Sequence, residues 1–295
     1  MDCKCSLCPR MCNIDREVTT GYCGVKQTLR VARAALHFWE EPCISGEEGS
    51  GAVFFTGCNL RCVFCQNYHI ARAEQGKEIT VGRLSEIFLE LQEKKANNIN
   101  LVTATHYVPQ VVEALKMAKS QGLHIPVVYN CGGYEAVETL KLLEGLVDIY
   151  LPDFKYVDSE RAKRYSHAED YPEAAKAALA EMVRQQPEAE FDERGMMKKG
   201  VIVRHLMLPG GIKDSKAVVK YLYETYGNQI FVSLMNQYTP LPHVTDYPEI
   251  NRKLKKFEYD RLVDYAIALG VENGFIQEGE TAEESFIPAF TNEGV

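Results

Sequence analysis

The stretch TGCNLRCVFCQN (56–67) places Cys58, Cys62 and Cys65 in a C-x3-C-x2-C spacing. Three neighbouring thiols are an odd number for a structural metal centre, which four ligands close. Three thiolates can instead hold three irons of a four-iron cubane and leave the fourth open to an outside ligand. An incomplete zinc knuckle is the rival reading of the bare spacing. A second group, CKCSLCPRMC followed by GYCG, offers Cys5, Cys8, Cys12 and Cys23 as C-x2-C-x3-C-x10-C. Four thiolates make a closed site, for zinc or for an iron–sulfur centre, and closure suits a structural or electron-relay role. Cys3 could replace Cys5, and Cys43 is a spare. Between the groups, HFWEEP (37–42) carries Glu40 and Glu41, which either handle protons near a site or sit in a solvated turn or helix cap.

Of the ten cysteines, all but Cys131 fall at or before residue 65. That crowding reads as metal ligation rather than as a disulfide framework. The chain has no run near the ~20 apolar residues of a membrane span, and its start does not open a signal peptide. The expected location is cytoplasmic, where thiols stay reduced. A net charge of -8 argues against a nucleic-acid backbone as partner.

The elements that must position these residues begin at GAVFFTG (51–57). INLVTAT (99–105), IPVVYN (125–130), LVDIYLP (146–152), VIVRHLML (201–208) and QIFVSLM (229–235) have the same look. Continuous apolar runs suit parallel strands covered on both faces. Leu84, Ile87, Phe88 and Leu91 fall at helical spacing, as do Val108, Val111, Val112 and Leu115, and Leu262, Tyr265, Ala266 and Leu269. Strand–helix alternation implies right-handed crossovers. The expected fold is α/β, a partial (β/α)6 TIM-type barrel of parallel strands over 51–295, with a cysteine-rich extension over 1–50. YPEAAKAALAEMVRQQ (171–186) predicts an extra covering helix, and EFDERGMMKKG (190–200) a hairpin with Arg194-Gly195 at its tip. In such barrels functional groups collect where strands end, and Cys58 directly follows the first strand.

C-x3-C-x2-C after a first apolar strand resembles the signature of the radical S-adenosylmethionine (SAM) superfamily. YNCGGYE (129–135), YLPDFKY (150–156), RHLMLPGG (204–211) and LMNQYTP (234–240) extend the likeness to its pyruvate formate-lyase-activating-enzyme-like branch. The N-terminal CSLCPRMC with GYCG is similar to a sub-branch of activase homologues, and FIPAFTNEGV (286–295) resembles that group's native ending. The resemblance implies a [4Fe–4S] cluster on Cys58, Cys62 and Cys65, with SAM chelating the open iron. It implies one-electron cleavage of SAM to a 5′-deoxyadenosyl radical that abstracts hydrogen, and a reductant such as flavodoxin or ferredoxin. It places Phe64 beside the adenine, Asp153 and Lys155 at the SAM carboxylate, and Gln237 among the SAM contacts. Tyr238, beside it after the sixth strand, falls in the same SAM-contacting place, and a turn role is the alternative for both.

Asn130, at the end of the third barrel strand, could bond the ribose or methionine part of SAM. Arg204 and His205 lie inside a strand, so period-2 alternation turns one of them to the barrel interior, where a charge needs a partner. The family's Gly-Gly-Glu-like segment is replaced by Thr103-Ala104-Thr105-His106-Tyr107. Without a carboxylate there, Thr103 and Thr105 hydroxyls, backbone carbonyls or His106 must hold the SAM amino group.

Three functions remain open on these residues. An activase that makes a glycyl radical on a protein partner needs a mouth that admits a peptide loop. Direct action on a small metabolite or peptide needs a mouth closed by residues 157–200 and the N-terminal module. A non-catalytic metal-binding electron-transfer protein needs Cys43 or Cys131 to close the fourth corner of the cluster.

Overall fold

In a parallel sheet covered on both faces, alternate residues of each strand meet the outer helices and the barrel interior. The computed structural model describes residues 4–277, 288 and 290–295. Cys3 lies outside them, as do Phe286, Ile287 and Ala289 of the terminal stretch. The strands are β1 (Arg30–His37), β2 (Ser50–Phe55), β3 (Lys77–Glu78), β4 (Ile99–Val102), β5 (Val127–Cys131), β6 (Ile149–Pro152), β7 (Glu190–Phe191), β8 (Met197–Leu206), β9 (Phe231–Met235) and β10 (Gly274–Ile276). They join in the order β10-β9-β8-β6-β5-β4-β2-β1-β3, with β7 on β8. β2, β4, β5, β6, β8 and β9 are the parallel strands that the apolar runs predicted.

Two features lie outside that expectation. β1 comes from the range read as the cysteine-rich extension and pairs antiparallel with β2. At the other edge β10 adds one more parallel strand beside β9. It spans three residues, two of them exposed, so it leaves no apolar run to notice.

The helices are α1 (Pro42–Ser45), α2 (Tyr68–Ala71), α3 (Val81–Glu93), α4 (Val108–Ser120), α5 (Val137–Lys141), α6 (Ser159–Ser166), α7 (Tyr171–Gln185), α8 (Ile212–Tyr226) and α9 (Lys256–Leu269). The Thr80 hydroxyl caps α3 by accepting from the Arg83 N–H, and the stripe Leu84, Ile87, Phe88 and Leu91 is buried. In α4, Val108, Val111 and Leu115 are buried, and in α9, Leu262 and Ala266. α7 is the covering helix read from the sequence, with Ala175, Ala178, Leu179 and Met182 inward. β7 and β8 form the predicted hairpin, turning at Gly195 with φ 77°.

The opposite face of each strand fills the barrel in layers. At the N-terminal end of the strands, Cys43 and Ile44 of α1 pack against Val128, Ile149, Leu151, Met197 and Ile202. Thus α1 is an apolar plug at one end of the barrel. The next inward positions, two residues further along, are Asn130, Asp153 and Arg204.

Gly133, just past β5, shows how tightly the strand ends pack. Its φ is +78°, and a Cβ there would stand 2.1 Å from the Asp153 carbonyl oxygen. Gly133→Ala should therefore destabilise the chain by roughly 2–4 kcal/mol. Gly195→Ala, at φ +77° with nothing within 4 Å, should cost only the left-handed strain, roughly 1–2 kcal/mol. Urea unfolding of the two variants checks this, and equal losses would contradict the packing argument.

Candidate active site

The loop 56–67 is held in place from several sides. The Thr56 N–H donates to the Arg30 carbonyl at 2.9 Å, and the Gly57 N–H to the Ile70 carbonyl at 2.8 Å. Gly57 has φ +93°, and a Cβ there would lie 2.7 Å from the Cys23 carbonyl oxygen. The Cys58 N–H donates to that same carbonyl at 3.3 Å. Further along, the Val63 N–H donates to the Tyr165 carbonyl at 2.8 Å. The Cys62 Sγ stands 3.0 Å from the Ser166 Oγ.

Cys58, Cys62 and Cys65 all open onto a cavity of about 640 Å³. Burial first, then the charges of the neighbouring thiols, raises Cys58 far above the usual thiol range, against the pull of Lys155. Burial likewise pushes Cys65 up to about 12. Such thiols ionise only beside a cation, and a bound metal deprotonates a coordinating thiol outright. The Leu60 N–H points at the Cys58 Sγ at 3.3 Å, a donor suited to a metal-bound sulfur. Among the described residues no three or more Cys, His, Asp or Glu donors are already gathered to hold a metal ion. The fit to an iron–sulfur centre rests on soft donors facing one cavity.

Phe64, Thr103, Asn130, Asp153, Lys155, Arg204 and Gln237 line the same cavity. Thr103 has φ 61°, a conformation uncommon for a β-branched residue, and its N–H donates to the Asn130 carbonyl at 2.8 Å. Strain of this kind, at a cavity wall, persists only where the surroundings enforce it. Lys155 Nζ donates to Asp153 Oδ2 at 2.6 Å, and Arg204 Nε to Asp153 Oδ1 at 3.0 Å. Burial alone would raise Asp153, but Lys155 and Arg204 outweigh it and hold the carboxyl below its ordinary value. Burial works to lower Lys155 too, and the Asp153 charge overcomes it, so the ammonium stays charged.

Arg204 resolves the choice between neighbours in β8. Its guanidinium faces the cavity, whereas His205 is turned outward, with Nδ1 2.8 Å from the Phe154 carbonyl oxygen. Burial lowers His205 to about 4, which keeps the imidazole neutral. His205 is therefore not brought to the cavity. Neither is His106, buried with Nε2 2.8 Å from the Thr56 carbonyl oxygen, nor Thr105, whose hydroxyl donates to Glu135 at 2.8 Å. Both point into the layer behind the strand ends. Tyr238 is buried, its hydroxyl donating to the Ile250 carbonyl at 2.8 Å.

Glu40 is the cavity residue that the sequence left undecided. It accepts from Arg204 NH1 at 3.0 Å, from Asn100 Nδ2 at 3.0 Å and from Asn130 Nδ2 at 3.2 Å. Its side chain is 8% exposed, so Glu40 is no solvated turn residue, although Phe38 and Trp39 before it are exposed. Asn100 shares this belt, and a polar residue inside the apolar run INLV was the signal for it. Glu41 also lines the cavity, and burial raises its carboxyl above the ordinary value.

The N-terminal cysteines form a neighbourhood of their own. The Tyr22 N–H points at Cys12 Sγ at 3.4 Å, and a Cβ on Gly21 would lie 3.5 Å from Cys23 Sγ and 3.6 Å from Cys12 Sγ. Burial raises Cys8 to about 12, with the charges of Cys12 and Cys23 adding to it. Burial also raises Cys23, which feels Cys5 and Cys12. The module grips the neighbouring loop: Arg10 Nε donates to the Asn59 carbonyl at 2.9 Å, and Arg61 NH2 to the Tyr22 carbonyl at 3.2 Å. The Tyr22 ring meets Arg10 at 3.9 Å and Arg61 at 4.4 Å.

A barrel whose first strand end carries three cysteines over a charged cavity defines a class. The model of the radical SAM superfamily matches residues 52–211, and the chain belongs to that superfamily. Its chemistry is SAM-dependent radical chemistry, and it is an enzyme. The family implies SAM and a [4Fe–4S] cluster. The chain is similar to an uncharacterized protein of Methanocaldococcus jannaschii, 29% identical over 270 residues, or 89% of this chain and 74% of that protein. It is 31% identical to the pyruvate formate-lyase-activating enzyme of Clostridium pasteurianum over 119 residues, 38% of this chain and 48% of that enzyme. Among solved structures, SuiB of Streptococcus suis bound to S-adenosylmethionine matches with a TM-score of 0.52 at 16% identity, over 75% of this chain and 48% of that one. The matched regions thus span about half the length of that activating enzyme and of SuiB. Among the described residues, no helix is long and apolar enough to cross a membrane.

Glu135 gives this region a pH signature. Burial raises its carboxyl from the ordinary 4.5 to about 7, against the Thr105 and Tyr129 hydroxyls that bond it. The folded chain therefore holds a proton that the unfolded chain has released between these values. Stability should fall as pH rises from 4.5 to about 7 and level off above. Glu135→Gln should flatten that slope in denaturant titrations run across the window; an unchanged slope would assign it to another group.

Proposed function

We propose that Cys58, Cys62 and Cys65 ligate the [4Fe–4S] cluster and leave its fourth iron to SAM. The supporting observation is the fate of the two cysteines able to close that corner. Cys43 is packed in the apolar plug under the barrel. Cys131 lines the same cavity, but its thiol is set by burial, Glu135 and the Gly133 N–H, whereas Cys58, Cys62 and Cys65 act on one another. When bound, the cluster and SAM supply one-electron cleavage of the sulfonium and a hydrogen-abstracting 5′-deoxyadenosyl radical.

The chain's own residues bind and orient. Lys155, held by Asp153, presents its charge to the SAM carboxylate. The backbone at Thr103, kept at positive φ, offers carbonyls to the amino group in place of a carboxylate. Asn130 and Gln237 bond the remaining polar edge, and Phe64 packs beside the adenine. Arg204 holds Asp153, Glu40 and Asn130 in register rather than touching SAM. Cys5, Cys8, Cys12 and Cys23 bind a second metal centre, zinc or iron–sulfur, and a flavodoxin or ferredoxin delivers the electron.

For the substrate, the partial match to an activating enzyme supports a glycyl-radical activase. A second reading, direct action on a small metabolite or peptide, is favoured by one contact: Arg10 NH1 donates to the His167 carbonyl at 2.7 Å. The N-terminal module and the segment after residue 157 thereby meet beside the cysteine loop.

Anaerobically reconstituted and reduced protein given SAM should release 5′-deoxyadenosine and methionine, read by chromatography. Cys62→Ser should lower that release by a factor of about 1,000 or more, since the cluster's one-electron chemistry accounts for the whole step. It should leave the N-terminal metal in place by elemental analysis. Conversely, Cys8→Ser should lose the N-terminal metal alone. Fully loaded protein that leaves SAM intact would defeat the reading.

A further inference from the structure

The family model matches residues 52–211, and HFWEEP and the β10 edge lie outside that range while lining the same cavity. Within the cavity, Lys155, Asp153, Arg204 and Glu40 form one continuous ion-paired run. Asn100 and Asn130 fill the other oxygen of Glu40. Glu41 stands outside this run. It is 8% exposed, lines the cavity and bonds the Ser233 hydroxyl, while its Oε2 is buried without a hydrogen-bond partner.

An acceptor buried without a donor costs the full desolvation of the group, on the order of 1–3 kcal/mol and more for a charge. What this corner lacks is an N–H or O–H from outside the chain. Charge says which kind. With Glu41 ionised, as a bound cation would make it, the carboxylates Glu40, Glu41 and Asp153 outnumber the cations Lys155 and Arg204 on the cavity wall. The rings of Trp39, Phe54 and Phe275 line the wall as well, and aromatic faces attract cations.

We propose that the Glu41 end of the cavity binds a cationic nitrogen of the substrate, an ammonium or a guanidinium. The inference rests on the radical SAM reading, because the bound cation belongs to the molecule that loses hydrogen. It makes the substrate an amine or a basic side chain, seated at an acceptor to which Arg204, bonded to Asp153, Glu40 and Asn130, donates no hydrogen bond.

Trp39 is the single tryptophan of the chain and lines this cavity, so its fluorescence reports the site directly. The test titrates n-pentylammonium, agmatine and neutral n-pentanol into reconstituted anaerobic protein saturated with SAM, at constant ionic strength. Both cations should give a saturable change, with n-pentanol at least about tenfold weaker, and Glu41→Gln should weaken the cations about tenfold, the usual value of a lost charged hydrogen bond. Equal binding of amine and alcohol would overturn the proposal, and that comparison needs no variant. So would cation binding untouched by Glu41→Gln, or amines displaced by rising SAM, which would make the cation SAM's own. Protein that cleaves SAM but ignores the amines keeps the radical reading and loses this site. Protein that binds the amines through Glu41 without ever cleaving SAM keeps the cation site and loses the reading.

Discussion

A guanidinium inside a barrel must be answered by charge, and Arg204 is that guanidinium. Its side chain is 14% exposed and receives Asp153 at 3.0 Å and Glu40 at 3.0 Å. Taking an ion out of water costs several kcal/mol, recovered only with good geometry and filled hydrogen bonds. Here each partner has a second task. Asp153 also orients Lys155, and Glu40 also gathers the Asn100 and Asn130 amides. The pairing therefore fixes the relative height of β4, β5, β6 and β8, together with the segment that enters from beneath. Removing one partner would leave an uncompensated buried charge, so the belt behaves as a unit.

Around this belt the molecule divides its labour by depth. The lowest layer is apolar and closed by α1; the middle layer is charged; the uppermost carries the cysteines. The apolar and charged layers are one step of two residues apart along the strands, the pleat's own period, and the cysteines lie beyond them in the loop after β2. An enzyme that generates a radical must keep water from it, and the plug and the crowded strand ends serve that end. At the rim, Thr103 and Gly57 take positive φ where loops leave the strands.

How much of this could be read beforehand follows from the same period. The six principal strands announced themselves because parallel strands are apolar on both faces, and the cysteine spacing was legible because chemistry demands it. Arg204 against His205 was undecidable until register was known: the residues are adjacent, equally polar, and one bond apart in alternation. Glu40 and Glu41 looked like a solvated turn, since charge beside proline is common at surfaces. Only the three-dimensional return of β1 beneath the barrel buries them. His106 and Thr105 were plausible contacts by type, yet the short helical turn after β4 directs them at Thr56 and Glu135 instead. β1 was hidden because its arginines interrupt the apolar pattern, and β10 because it is so short.

The meeting of Gly57 with the Cys23 carbonyl has a consequence for descent as well as for structure. Two cysteine regions, far apart along the chain, share a single backbone contact with no room for a methyl group. Insertions in the segment leading to Cys23 would shift the Cys58 loop bodily, so the two regions can only drift together. A grafted module from a distant relative would have to bring its own version of that seam, and the amino terminus is thus less an ornament on a borrowed barrel than a part of its rim.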